Sequence, residues 1–150
     1  MRAVVQRVTE ASVTTSAGLK GAIGHGLLVL VAVEETDGDE DIGWLSGKIT
    51  RLRIFDDAAG VMNRSVVEAG GGILVISQFT LFASTRKGNR PSYSRSAPPA
   101  VAEPLYRRFV ERLAAESGRE IPTGEFGAQM WVRLVNDGPV TIIIDSQSRE

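Results

Sequence analysis

The sequence predicts a β-rich α+β domain in which two helices cover one side of a sheet. Short runs of β-branched and apolar residues, bounded by Gly, Ser and Asp, recur along most of the chain. Helical spacing of apolar residues occurs in two stretches, within residues 37–52 and 98–117. With 150 residues and 43% hydrophobic content, the chain fits a single domain spanning residues 1–150.

Strands are predicted first at the N-terminal end, where turn residues separate the apolar runs. The predicted strands are Arg2 to Val8, Ala11 to Thr15, Gly21 to Gly24 and Gly26 to Glu34. Ser16-Ala17-Gly18 is predicted to be a turn, and Gly24-His25-Gly26 a tight connection between strands.

The first helix is predicted from an acidic first turn followed by apolar residues at helical spacing. Asp39-Glu40-Asp41 suits the positive end of a helix, and Thr36 or Asp37 can cap it. The predicted buried face consists of Ile42, Leu45, Ile49 and Leu52.

Three short β segments in the middle of the sequence are predicted to form a meander: Arg53 to Phe55, Ser65 to Glu68 and Ile73 to Gln78. Towards the C-terminal end, further strands are predicted at Arg119 to Thr123, Met130 to Val135 and Val140 to Asp145. The predicted turns are Asp56 to Gly60 and Gly70-Gly71-Gly72.

The second helix is predicted to follow Pro98-Pro99 and to end at Ser117, with Gly118 as its stop. Pro104 disfavours a regular helix before it, so the regular part is expected to begin nearer Ala102. The predicted apolar face consists of Val101, Leu105, Phe109 and Leu113.

Composition excludes several classes of protein. The chain has no cysteine, which rules out disulfides, thiolate metal sites and a cysteine nucleophile. A net charge of −1 does not indicate a general nucleic-acid binder. The N-terminus is too short and too charged for a signal peptide, and the apolar run Leu27 to Val33 is too short to span a bilayer. A soluble, cytoplasmic protein that does not insert into a membrane is therefore expected.

Neither a metal site nor histidine catalysis is predicted. The only histidine, His25, lies between glycines with no carboxylate or serine near it in sequence, which is typical of a turn residue. Asp37, Asp39 and Asp41 begin like a calcium loop, but the sixth position is Ile42 and the twelfth is Lys48. No metal or other cofactor is expected.

One segment of the chain is locally cationic. No acidic residue occurs between Glu68 and Glu103, and this interval contains Arg86, Lys87, Arg90 and Arg95 beside Tyr93. The segment is either a small nucleic-acid-binding surface or a solvated loop.

Two polar strings follow apolar β runs and are the candidates for a functional site. They are Ser77-Gln78-Phe79-Thr80-Leu81-Phe82-Ala83 and Asn136-Asp137-Gly138-Pro139-Val140-Thr141. By residue type alone, the hydroxyls of the first can be strand-end hydrogen bonders and the second can be a turn between two strands. A strand that ends in hydroxyls and an amide can equally form the wall of a cavity.

The two strings together resemble the D-aminoacyl-tRNA deacylases, in that family's order and spacing. The resemblance extends to Met1 to Val8, Met62 to Ser65, Lys87 to Ser92 and Thr123 to Ala128. It implies a three-layer β/β/α fold and a homodimer with active sites at the subunit interface. It also implies hydrolysis of the ester bond of D-aminoacyl-tRNA, and of mischarged glycyl-tRNA, to the free amino acid and tRNA.

The resemblance further assigns roles to residues. It implies a catalytic pocket formed by Ser77, Gln78, Phe79 and Thr80 of one subunit. A cis peptide bond between Gly138 and Pro139 is implied to enter that pocket from the other subunit and to reject L-amino acids. Arg7, Met130 and Asn136 are implied to support the site, and Lys87 and Arg90 to contact tRNA. Whether Thr80 attacks the ester or positions it stays open.

Overall fold

The computed structural model of the protein describes residues 1–149, so Glu150, the last residue of the predicted domain, lies outside the described residues. The strands are β1 (Arg2–Thr15), β2 (Gly18–Ile23), β3 (Gly26–Ala32), β4 (Phe55–Asp56), β5 (Met62–Arg64), β6 (Gly72–Ser77) and β7 (Trp131–Asp145). The helices are α1 (Asp39–Arg51) and α2 (Pro99–Ser117), and a 3₁₀ turn covers Phe79–Phe82.

β1 is the central strand of a curled sheet. Along one edge of β1, residues 2–8 pair antiparallel with β3 and residues 11–15 pair antiparallel with β2. Along the other edge, β1 pairs antiparallel with β7. The sequence predicted that β1 would break between Val8 and Ala11, but the strand is continuous. Thr9 and Glu10 are both exposed at a register shift against β7, so a bulge interrupts the side-chain alternation without ending the strand.

β6 pairs with β3 in parallel, with Gly26 opposite Gly72 and Val31 opposite Ser77. The predicted meander is therefore wrong. Parallel neighbours need a crossover connection rather than a hairpin, and α1 lies in the connection between these two strands.

Alternating residues of β3 and β6 pack into two separate apolar clusters, because successive side chains of a strand point to opposite faces. The cluster on the helical side contains Leu27, Val29, Ile73, Val75 and residues of both helices. The other contains Leu28, Leu74, Ile76, Val8, Ala11 and Val13, with Met130, Val132 and Leu134 packed against it. This arrangement of one helical layer and two β layers confirms the predicted fold.

α1 buries Ile42, Leu45 and Ile49, as predicted, but its cap differs from the prediction. Gly38 is the N-cap, and its N–H donates to the Asp41 carboxylate at 3.0 Å. Asp37 cannot cap the helix because its carboxylate pairs with the Met1 ammonium and accepts a hydrogen bond from the Glu34 N–H. Leu52 lies just beyond the helix as its C-cap.

α2 begins at Pro99, earlier than predicted, because the Pro98 carbonyl accepts hydrogen bonds from the N–H groups of Val101 and Ala102 at 2.9 Å. Leu105, Phe109 and Leu113 are buried as predicted, whereas Val101 is exposed. Val101 belongs to the first turn, which begins on the surface with the exposed Pro98 and Pro99. Gly118 ends the helix with a left-handed φ of 65°.

Two predicted strands are wrong. Ser65 to Glu68 forms a turn in which the Ser65 N–H donates to the Glu68 carboxylate at 2.7 Å, and the Glu68 N–H donates to Ser65 Oγ at 3.2 Å. Arg119 to Thr123 contributes a single bridge, from Thr123 to Val75. Pro122 has no N–H to donate to a ladder, so a strand cannot continue there.

The other short β segments are shifted relative to the prediction. β4 begins at Phe55, the last residue of the predicted Arg53 to Phe55 strand, and β5 precedes Ser65. Neither helix in residues 1–149 is long and apolar enough to cross a membrane.

Candidate active site

A cavity of about 530 Å³ opens at the C-terminal end of β6. Ser77, Gln78, Phe79 and Met130, all predicted site residues, line it. The rest of its wall consists of Ala32, Val33, Ile76, Tyr93, Ser96, Ala97, Pro99, Ala102, Phe126, Gly127, Ala128, Gln129 and Val132. In the part of the chain that is described, the wall therefore holds hydroxyls and amides but neither a histidine nor a charged side chain.

The first wall of the cavity is the junction between β6 and the 3₁₀ turn. The Gln78 N–H donates to the Val31 carbonyl at 2.8 Å, which continues the β3–β6 pairing one residue past the strand. The Leu81 N–H donates to the Gln78 carbonyl at 3.1 Å and closes the turn. The first N–H groups of a helical turn have no partner within it. Within residues 1–149, the Phe79 and Thr80 N–H groups likewise have no hydrogen-bond acceptor.

Thr80 is not part of the cavity lining, but one hydrogen bond joins it to Gln78 in the wall. The Gln78 side-chain amide donates to Thr80 Oγ1 at 2.7 Å. A carboxamide is not a base at neutral pH. This contact therefore holds the Thr80 hydroxyl in place but supplies no base for it.

A second part of the cavity wall contains Met130 and Phe126, and both side chains pack closely against neighbouring residues. A Cβ on Gly124 would lie 2.4 Å from the Met130 sulfur, so the sulfur occupies the space that a side chain would fill. The Phe126 ring lies 5.8 Å from that of Tyr106, whose hydroxyl donates to the Val75 carbonyl at 3.2 Å. Burial raises the pKa of Tyr106 to about 12, so this hydroxyl stays protonated and serves the fold.

The second predicted group of site residues lies on a bulge of β7. Thr141 pairs with Gln6 and Asn136 with Val8, so Asp137, Gly138, Pro139 and Val140 all lie opposite the single residue Arg7. The alternative of a turn between two strands is therefore wrong, because β7 pairs with β1 on both sides of the bulge. The Gly138–Pro139 peptide bond is cis, as the resemblance implies.

Arg7 and Asn136 hold the bulge in shape. The buried Arg7 guanidinium donates to the Asp137 carbonyl at 3.0 Å and to the Ile54 carbonyl at 2.7 Å. The Asn136 amide donates to the carbonyls of Arg7 and Val140 at 3.1 and 3.0 Å. These bonds close the base of the bulge and leave Gly138 and Pro139 exposed.

The two groups of predicted residues do not meet within one chain. Ser77 lies beside Val31 of β3, and Arg7 lies opposite Leu27 of the same strand. These two positions on β3 are about 13 Å apart at ~3.3 Å per residue. Neither Gly138 nor Pro139 lines the cavity.

The cationic segment is an exposed loop next to the cavity wall. Ser84 and Ser92 pair through reciprocal backbone hydrogen bonds of 2.8 and 2.9 Å, which close the loop at its base. Arg86, Lys87 and Arg90 are exposed and take part in none of the ion pairs of residues 1–149. Arg95 differs, because it pairs with Glu34 at 2.8 Å.

The sequence did not reveal two residues of the cavity wall, Tyr93 and Ser96, as functional candidates. Ser96 Oγ donates to the Phe79 carbonyl at 2.7 Å, a contact between residues 17 positions apart in sequence. The Tyr93 ring packs against Phe79. The aromatic residue inside a cationic segment was the one available signal for Tyr93.

His25 lies in the Gly24–Gly26 connection, as predicted. Its ring packs edge-on against Phe55 at 5.0 Å, and its Nε2 lies 3.9 Å from the Asp137 carboxylate. Within residues 1–149 there is no group of three or more His, Asp or Glu side chains arranged to hold a metal ion.

Known proteins are similar to this chain in sequence and in fold. Residues 4–145 match a family model described as D-Tyr-tRNA(Tyr) deacylase. The chain is 61% identical to the D-aminoacyl-tRNA deacylase of Parabacteroides distasonis, over 150 residues and 100% of both chains. It is 58% identical to that of Chromobacterium violaceum, again over 100% of both chains.

Two solved structures have the same architecture. The c-Myc DNA Unwinding Element Binding Protein matches with a TM-score of 0.90 and 40% identity, covering 97% of this chain and 98% of that one. A probable eukaryotic D-amino acid tRNA deacylase shares the fold at 18% identity, with a TM-score of 0.82 and coverage of 95% and 97%. The chain therefore belongs to the D-aminoacyl-tRNA deacylases, a family of hydrolases that act on the ester bond of aminoacyl-tRNA.

Proposed function

We propose that this protein hydrolyses D-aminoacyl-tRNA to free D-amino acid and tRNA and rejects the L-aminoacyl form. The observation that carries the proposal is the wall formed by Ser77 to Thr80. Within residues 1–149, the Phe79 and Thr80 N–H groups have no acceptor, and Ser77 and Gln78 add a hydroxyl and an amide to the wall of a cavity whose lining holds no acidic or basic side chain. Such a wall can bind and orient an activated ester, which needs less acid–base assistance than an amide does.

In this proposal the N–H groups of Phe79 and Thr80 stabilise the negative charge that develops on the carbonyl oxygen. Preorganised donors of this kind are typically worth about 100- to 1000-fold in rate each. The attacking group is water, and the 2′-hydroxyl of the substrate's own terminal ribose assists it. Thr80 positions the ester, since its hydroxyl is held by an amide and has no base to deprotonate it.

Gly138 and Pro139 of a second subunit are proposed to read the chirality of the amino acid. Their carbonyl oxygens would accept hydrogen bonds from the α-ammonium group and crowd the space that an L side chain needs. A D side chain would point to solvent, so the site would not select among D-amino acids by their side chains. The exposure of this bulge, and its separation from the cavity of its own chain, support a site completed by a homodimer.

Glycyl-tRNA follows as a second substrate from the same reasoning. Glycine has no side chain, so a site that excludes L side chains by crowding does not exclude it. The proposed reaction also places the protein in the cytoplasm, where aminoacyl-tRNAs are used, and assigns Lys87 and Arg90 to contacts with tRNA phosphates.

The test is to incubate the purified protein with D-tyrosyl-tRNA, L-tyrosyl-tRNA and glycyl-tRNA and to measure the released amino acid. Release of D-tyrosine and glycine, with L-tyrosyl-tRNA intact, is the expected result. Release of L-tyrosine at the same rate would refute chirality reading. Hydrolysis of D-tyrosyl-tRNA alone would refute the glycine assignment.

The alternative function is a nucleic-acid-binding module without catalysis. The exposed cationic loop favours it, as does the name of the c-Myc DNA Unwinding Element Binding Protein, which is 40% identical. In the same assay this alternative predicts tRNA binding without release of any amino acid.

A further inference from the structure

Two aromatic rings stand where the cavity opens to solvent. Phe79 and Tyr93 both line the cavity, yet 55% of Phe79 and 39% of Tyr93 is exposed. Their ring centroids are 5.1 Å apart, and the rings meet edge to face at 72°. The remaining aromatic ring of the wall, Phe126, is half-buried. The exposed pair therefore marks the rim rather than the interior.

A single serine holds both members of this pair. Ser96 Oγ donates to the Phe79 carbonyl at 2.7 Å, and the Ser96 N–H donates to the Tyr93 carbonyl at 3.0 Å. The next residue, Ala97, is buried, and its N–H donates to the carbonyl of Val33, the residue after β3, at 2.9 Å. These bonds tie the backbone of both residues to the end of β3, and the edge-to-face contact holds the two rings against each other.

The surroundings of the rim indicate the kind of ligand. Tyr93 follows the loop that carries the exposed cations Arg86, Lys87 and Arg90. No acidic residue lies between Glu68 and Glu103 to oppose a polyanion. Proteins bind single-stranded nucleic acid through a positively charged surface that contacts its phosphates and through exposed aromatic rings on which the bases stack.

We propose that the Phe79–Tyr93 pair is a stacking subsite for the penultimate base of the tRNA acceptor end. The inference rests on the proposed function. An ester held by the Phe79 and Thr80 N–H groups puts the terminal ribose beside Phe79, so the preceding nucleotide passes along the rim. The ligand is an unpaired base bound through its flat face. Its edge is not read, because the pair offers no matched set of donors and acceptors.

The test is a double-mutant cycle between Tyr93 and the penultimate base. D-tyrosyl-tRNA with its normal penultimate cytosine is compared with D-tyrosyl-tRNA that carries an abasic ribose at that position. For the unaltered protein, removal of the base should lower kcat/KM by roughly 5- to 150-fold, the range for one stacked base. The loss should fall on KM, because the base lies away from the reacting atoms.

Tyr93→Ala should cause a loss of similar size with the normal tRNA and only a small further loss with the abasic tRNA. Tyr93→Phe keeps the ring and should retain the full loss caused by removal of the base. Leu19→Ala, a truncation of an exposed residue on β2, is the matched control and should leave the effect of the missing base unchanged. Independent, multiplying losses in Tyr93→Ala and the abasic tRNA would overturn the proposal. A protein that cannot hydrolyse normal D-tyrosyl-tRNA would instead refute the proposed function.

Discussion

Thr80 Oγ1 accepts a hydrogen bond from the Gln78 amide, and its hydroxyl has two possible roles, as a nucleophile or as a positioning group. If Thr80 positions the ester, Thr80→Ala should lower kcat/KM for D-tyrosyl-tRNA by up to about 100-fold, the effect of a small misplacement. Loss of a covalent nucleophile would lower it by about a million-fold. Single-turnover hydrolysis measures the difference, and Thr80→Ser is the matched control.

If Thr80 only positions the ester, the proposed mechanism needs the substrate's 2′-hydroxyl to assist the attacking water. D-tyrosyl-tRNA that ends in 2′-deoxyadenosine, esterified at the 3′ position, should be hydrolysed far more slowly by the unaltered protein. An acyl group trapped on Thr80 and detected by mass spectrometry would contradict this account.

Asp145 contributes to stability in a pH-dependent way. Burial alone would raise its pKa, but hydrogen bonds from Arg2 and the Gln147 N–H, with the charge of Arg2, hold the pKa below its usual value of 3.8. A lowered pKa in the folded state means that the contribution is complete above about pH 4 and is lost as the pH falls through the folded-state pKa.

Asp145→Asn should therefore lower the free energy of unfolding by about 1.5–3 kcal/mol at pH 7, the range for a hydrogen bond to a charged group. The difference from the unaltered protein should shrink as the pH falls below 4. Urea denaturation at several pH values measures it. Glu125→Gln, which removes an exposed pair with Lys20, should change stability by less than about 1 kcal/mol. A difference independent of pH would rule out this role for Asp145.

At the scale of elements, the β7 bulge has no room for a single added carbon at Gly138. A Cβ on Gly138 would lie 2.1 Å from the Val140 nitrogen, so Gly138→Ala must move the bulge backbone. We expect kcat/KM for D-tyrosyl-tRNA to fall by about 100-fold or more. Gly43→Ala is the control, since its Cβ would meet open space in α1 and should stabilise that helix by about 0.5–1 kcal/mol. Equal activity in Gly138→Ala and Gly43→Ala would show that the shape of the bulge does not affect the reaction.

The cationic loop has its own signature. Lys87→Ala and Arg90→Ala should each reduce the slope of log affinity for uncharged tRNA against log salt by roughly 0.7–0.9 per lost phosphate contact. Lys48→Ala is the control, because that ammonium lies over the Trp44 ring on α1, 5.5 Å from its centroid. Slopes that stay unchanged in both loop variants would identify the loop as merely solvated.

Sequence predicted the elements whose residue pattern allows one interpretation. The spacing of Ile42, Leu45 and Ile49 specifies a helix face. The polar residues Ser77 to Thr80 directly follow an apolar run, which marks them as the end of a buried strand. Asn136 to Pro139 could not be assigned in this way, since a bulge and a turn use the same residue types. The pairing of β7 with β1 on both sides decides, and that pairing is a long-range property. The hydrogen bond from Ser96 to Phe79 joins distant residues and leaves no mark in local sequence.

At the scale of the whole molecule, the two halves of the proposed site are about 13 Å apart on β3 alone. The edge strand β7, which carries the bulge, also exposes Trp131, Val135 and Ile143. We therefore expect a dimer of twice 16.1 kDa in light scattering. A monomer with full activity would contradict a shared site.

Complementation between subunits gives a sharper test of the same point. Gln78→Ala alters the cavity wall, and Gly138→Ala alters the bulge, so each homodimer should have two defective sites. A mixed dimer has one site with both defects and one site with neither. Co-expression with random pairing should restore about one quarter of the unaltered activity. Activity no greater than the mean of the two homodimers would show that each site belongs to one chain.

The close approach of Gly26 and Gly72 has a consequence at the opposite end of their strands. A Cβ on Gly26 would lie 2.0 Å from the Gly72 carbonyl oxygen, so only a residue without a side chain fits opposite Gly72. The close contact of the two glycines therefore restricts the register in which β6 can pair with β3. A slip by one residue would carry the Ser77 hydroxyl about 3.3 Å along the strand and turn it to the other face. Two glycines at the far end of the strands thus help to set the position of Ser77 in the cavity wall.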